Sequence, residues 1–180
     1  MNARCIKIAF TAFLLVFPAG FRAEAQRMNC AGIVQSYSRM GFYYERETKD
    51  RSFMSCSVCA ETAEMFSGKT SLPGLSFSFG WNFIFAEAGQ PDGNRIIFFA
   101  GPGATAGVCR DFMSPPGLFF GMQGRAGICL RSKRNVDISV CAAPVLGIPS
   151  VRDDESIYMK YFKYGLMRAV IPEIRIGYRF

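Results

Sequence analysis

Histidine is absent from all 180 residues, which removes the commonest catalytic base, the usual metal ligand and any imidazole pH switch. Charge is sparse: Asp, Glu, Lys and Arg make up 19% of the chain. The Ala, Leu, Glu and Lys that helical bundles need in quantity give way to Phe, Gly, Ser and Val, which argues against a bundle. No stretch after Gln26 holds 18 consecutive apolar residues, so no membrane-spanning helix is expected there. Half the residues are hydrophobic, 14% are aromatic and 18 are Gly, a mixture too apolar for a disordered chain. An all-β protein is the expectation.

The first 25 residues read differently from the rest. Arg4 and Lys7 give a basic start, Ile8 to Phe17 an apolar run, and Ala23 and Ala25 an A-x-A cleavage pattern before Gln26. This is the three-part signature of a secretory signal peptide. As a membrane anchor the run would be too short, and Pro18 and Gly20 break it. Cleavage after Ala25 leaves residues 26–180, about 155 residues and one domain's worth of chain. The formal net charge of +7 falls only modestly with the leader. Its basic residues form no run longer than Arg131-Ser132-Lys133-Arg134, which reads as a polar turn, so no nucleic-acid partner is expected.

Alternation dominates the chain beyond the leader. Leu75, Phe77, Phe79, Trp81, Phe83 and Phe85 share one parity, against Ser76, Ser78, Gly80, Asn82, Ile84 and Ala86 on the other. A period of two over this length means a strand. Past the turn Gln90-Pro91-Asp92-Gly93-Asn94, Ile96, Phe98, Ala100, Pro102, Ala104, Ala106 and Val108 form the next apolar face. A third run sets Leu118, Phe120, Met122, Ala126, Ile128 and Leu130 against Gly121, Gln123, Arg125, Gly127, Cys129 and Arg131. A fourth sets Val136, Ile138, Val140, Ala142, Pro144, Leu146 and Ile148 against Asp137, Ser139, Cys141, Ala143, Val145 and Gly147. Met54, Cys56, Val58 and Ala60 alternate with Ser55, Ser57, Cys59 and Glu61, and Ile33 to Glu45 reads as either one strand or two. Pro102 and Pro144 fall on the apolar parity, where a strand end or bulge is the expected reason.

The second face decides the environment. In a soluble protein it would meet water and carry many Lys, Glu, Thr and Gln; here it is Gly, Ser and Ala with occasional Arg, Asp and Glu. Small residues with a few charges suit a narrow packed interior, and Phe, Leu, Ile and Val suit a lipid-facing exterior. The runs approach the 9–11 residues needed to cross a bilayer.

The chain ends Ile174-Arg175-Ile176-Gly177-Tyr178-Arg179-Phe180, with Ile174, Ile176, Tyr178 and Phe180 on one face. A C-terminal Phe preceded by alternate apolar residues, with a Tyr two before it, resembles the closing strand of bacterial outer-membrane β-barrel proteins of the small, about eight-stranded type. The resemblance covers roughly Ile33 to Phe180. It implies a closed antiparallel up-and-down transmembrane barrel of residues 26–180 in the cell outer membrane. Its partners would be outer-membrane lipid and, through the C-terminal strand, the barrel assembly machinery. Short turns near Lys49, Asp92 and Arg134 would face the periplasm. The links Ser67 to Pro73, Asp111 to Pro116 and Pro149 to Lys163 would face outside. So small a barrel encloses side chains, and Arg125, Asp137, Glu173, Arg175 and Arg179 are expected to form an interior ionic network.

Several motifs suggest chemistry that their context does not support. Gly101-Pro102-Gly103-Ala104-Thr105-Ala106 matches a dinucleotide fingerprint but lacks the helix that must come directly after it. Cys56-Ser57-Val58-Cys59 has the spacing of a redox or zinc pair, yet no second pair or histidine completes a zinc site, and the two thiols would point to opposite faces of a strand. Asp153-Asp154-Glu155 reads as a solvated loop tip more readily than as a calcium site. Most cysteines read as small apolar fillers, and the turn at Ser132 to Asn135 would set Cys129 opposite Cys141 without a bond. No catalytic, cofactor or metal residues are assigned. The expected function is a non-enzymatic outer-membrane barrel with a structural, surface-interaction or envelope-integrity role and an unidentified extracellular partner. The alternatives are a barrel enzyme or lipid-binding transporter using interior Arg and Glu, and a soluble exported barrel that binds an apolar ligand.

Overall fold

A chain that alternates apolar with small polar residues can serve two environments at once only when extended, with successive side chains on opposite faces. The computed structural model describes residues 29–37, 39–49, 51–61, 74–89, 93–109, 117–149, 162–163 and 166–180, and all their regular structure is strand. In chain order the strands are β1 (Asn29–Ser36), β2 (Arg39–Lys49), β3 (Ser52–Glu61), β4 (Gly74–Gly89), β5 (Arg95–Cys109), β6 (Gly117–Arg131), β7 (Val136–Pro149), the two-residue β8 (Phe162–Lys163) and β9 (Leu166–Arg179). From β1 to β7 each pairs antiparallel with the next, β7 pairs with β9, and β9 returns to β1. Eight strands therefore close into an up-and-down barrel, with β8 a short addition on β9. Closure removes the rows of unpaired N–H and C=O groups that hydrocarbon cannot solvate. At the seam Phe180 N donates to Asn29 O (2.8 Å) and Asn29 N to Phe180 O (2.9 Å).

The segment Ile33 to Glu45 belongs to two strands, β1 and β2, joined through residues 37–38. The short connections after β2, β4 and β6 share one end of the barrel with the Asn29–Phe180 seam, and the longer links 62–73, 110–116 and 150–161 leave from the other. In the turn after β6, Ser132 N donates to Val136 O (2.9 Å), and Asn135 takes φ 62°, a left-handed conformation that Asn tolerates better than most residues.

Three expectations need correction. Cys129 does not face Cys141: Cys129 lies opposite Ser139, and Cys141 opposite Gly127. The turn sets Arg131 against Asp137, which moves the pairing by one residue on each strand. Gly127 accommodates this, since a Cβ there would stand 2.4 Å from the Cβ of Cys141. Cys30, Cys56, Cys59, Cys129 and Cys141 are all free. Secondly, a bulge between Ile84 and Ala86 brings Ala86 opposite Phe98 and so onto the outer parity, away from the inner set to which strict alternation assigns it. Thirdly, Pro102 and Pro144 mark neither strand ends nor bulges. Paired residues skip from Gly80↔Gly103 to Phe83↔Ala100, and from Gln123↔Val145 to Ala126↔Ala142, with the same register on both sides. Each proline, lacking an N–H, sits within a short gap in the ladder without displacing the strands.

Candidate functional site

The inward parity of every strand delivers its side chains to one narrow lumen, so residues far apart in sequence become neighbours. At its centre Glu173 of β9 is buried and paired with two arginines. Arg39 of β2 donates Nη2 to Glu173 Oε1, and Arg175 donates Nη2 and Nε to Glu173 Oε2 at 3.0 and 3.2 Å. Arg175 Nη1 reaches Glu45 Oε1 at 3.2 Å and Ser55 Oγ at 3.1 Å. Ser55 also accepts Arg125 Nη1 at 2.7 Å. The Arg175 guanidinium lies 4.9 Å from the Tyr43 ring centroid, a cation–π distance. These contacts join β2, β3, β6 and β9 across the barrel axis.

Nearer the short-turn end a second group forms. Arg179 bonds Asp137, and Arg131 Nη1 pairs with Glu47 Oε1 at 2.5 Å. Towards the long-link end, Ser76 donates to Glu61 Oε1 at 2.5 Å and Ser78 to Thr105 Oγ1 at 3.0 Å. A buried charge costs several kcal/mol unless it is paired and fully hydrogen-bonded, so matching carboxylates to guanidinium groups is what lets such side chains fill a membrane-sized lumen. Ser55, held between two guanidinium groups, is an acceptor for cations; Glu45 lies opposite it across β2 and β3, but among the described residues its hydroxyl is bonded to the two arginines and to no carboxylate.

Arg125, Asp137, Glu173, Arg175 and Arg179, expected as one network, fall into two groups: Arg125, Glu173 and Arg175 at the centre, and Asp137 with Arg179 near the turns. Arg39, Tyr43, Glu45, Glu47 and Arg131 are further members. The first four share the odd parity of β2, a signal hidden while the segment from Ile33 to Glu45 reads as either one strand or two. The Gly101 to Ala106 motif lies wholly within β5. Cys56 and Cys59 stand on opposite faces of β3, with only Cys59 buried. Residues 1–28 and 153–155, and hence the leader and the acidic loop tip, lie outside the described residues.

The outer face is the reverse of the lumen. Phe42 is 73% exposed and Met122 72%, and Phe77, Phe83, Phe120, Val140, Ile174 and Tyr178 are also exposed. They lie on strands all round the barrel. A soluble carrier of apolar ligands needs the opposite polarity.

An eight-stranded antiparallel barrel with a charge-paired interior and an apolar exterior has the architecture of small membrane-spanning barrels. Among solved structures, the chain is similar to the N-terminal β-barrel domain of Pseudomonas aeruginosa OprF, seen in a crystal structure, with a TM-score of 0.56 and 12% identity over 87% of this chain and 100% of that one. The likeness is one of fold. No family model and no curated protein matches.

Proposed function

We propose that the protein is an outer-membrane barrel with a structural, surface-interaction or envelope-integrity role, presenting its longer links outside the cell. The observation that carries this reading is the continuous apolar exterior around a charge-paired lumen: the first requires lipid, and the second fills the space that a diffusion pore would need open. On this reading residues 1–25 are a cleaved signal peptide, and β9 is the segment recognised by the assembly machinery. The mutual pairing of the lumen carboxylates and guanidinium groups supports a structural plug over a barrel enzyme or lipid transporter. Fractionation of the envelope, with electrophoresis of heated and unheated samples, tests the proposal. The expected result is an outer-membrane protein whose mobility changes on heating. A mature chain free in the periplasm would overturn it.

A further inference from the structure

Two lumen amides have no hydrogen-bond partner among the described residues. Asn82 is 0% and Gln123 4% exposed, and neither the oxygen nor the nitrogen of either side chain is bonded. Buried polar groups nearly always have partners, so a pair of orphaned amides calls for an occupant between them.

Glycines bring the two together. Gln123 faces Gly103 across β5 and β6, and Gly103 faces Gly80 across β4 and β5, so no side chain stands in that row between Gln123 and Gly80. Asn82 leans over it, its Nδ2 3.7 Å from where a Cβ on Gly80 would be. In the next row Arg125 faces Gly101, which lies against Asn82. Arg125 is 5% exposed, its Nε has no partner among the described residues, and its guanidinium bonds Ser55 through Nη1. Arg39, Arg131, Arg175 and Arg179 each have a carboxylate; Arg125 has no ion pair among the described residues. Arg175 shares Ser55 with it and is itself paired with Glu173 and Glu45.

We infer that Asn82, Gln123 and Arg125 form a binding site for one small monovalent anion of halide size, held over Gly80 and Gly103. The two amide NH2 groups and the free guanidinium N–H supply donors, and Arg125 supplies the charge. A cation would stand against the Arg125 guanidinium, and water would satisfy the amides without forming an ion pair with Arg125. Ser78 and Thr105 fill the adjoining row on one side, Asn82 and Arg125 stand in the row on the other, and Ser55 ends the row beyond Gly80, so the stretch without side chains is the one over Gly80 and Gly103.

The test uses the mature barrel in detergent at constant ionic strength, with sodium gluconate replaced stepwise by chloride or bromide. Thermal unfolding should shift upward by about 2–4 °C in halide. The shift should vanish in Arg125→Met and shrink in Gln123→Leu. Crystals grown in bromide should show an anomalous peak between Asn82 and Gln123. If Arg125→Met does not fold, Gln123→Leu and the bromide peak decide the matter. Equal stability in gluconate and halide, or water alone at the position in bromide crystals, overturns the proposal.

Discussion

Glu173 receives hydrogen bonds from Arg39 and Arg175, so its charge balances guanidinium groups on two strands. Neutralising it leaves both underpaired in a buried site. Glu173→Gln should therefore lower unfolding stability by about 3–5 kcal/mol, the usual loss on breaking a buried pair. The Arg95–Glu87 pair, at 2.8 Å but partly exposed, offers the contrast, and Arg95→Ala should cost less than about 1 kcal/mol. Urea titration of barrels folded in lipid checks both. Phe79 and Ser78 make a similar comparison between faces. Phe79→Arg places a charge against lipid near mid-strand, at a cost of about 2–4 kcal/mol. Ser78→Ala removes the bond to Thr105, but Thr105 keeps its own bond to Phe77 O at 3.2 Å, so the expected cost is only about 1 kcal/mol. Folding yields of the two variants in vesicles should differ in that order; the reverse order would mean that the faces are inverted.

Strand β5 shows why the inward glycines cannot be replaced at will. A Cβ on Gly101 would stand 1.9 Å from Trp81 O and 2.7 Å from Asn82 Cα, both backbone atoms that cannot move without shifting β4. Gly101→Ala should cost about 1–3 kcal/mol or prevent folding. Gly80→Ala, whose methyl would meet nothing closer than 3.7 Å, should fold normally, and thermal melts in detergent distinguish the two. The strands themselves were legible because an apolar–small alternation repeats through β3 to β7 and β9, and the polarity of the faces emerged from the scarcity of Lys and Glu on the inner one. Partner choice inside the lumen was not. Arg39 meets Glu173, and Arg175 meets Glu45, only after closure brings β2 to β9. Register was equally hidden: Cys129 and Cys141 share a face, but a two-residue difference in register separates them from direct opposition.

For the barrel as a whole, a change at Phe180 is expected to affect assembly and not stability. Its backbone N and O make the seam bonds to Asn29, which Phe180→Ala retains, while its ring is half exposed on the outer face. The expected outcome is less assembled protein in the outer membrane but an unchanged melting temperature for the fraction that folds, read by quantitative immunoblotting and by heating in detergent. Normal assembly would remove β9 as the recognised strand.

The seam between β1 and β9 also orders events in time. The first strand of the barrel has only one of its two neighbours until β9 has been made, so no partly synthesised chain can hide its edges. Such a chain gains nothing by folding early and risks pairing its open edges with other copies. A chain that stops short of β9 therefore cannot close, because β1 keeps an unpaired edge.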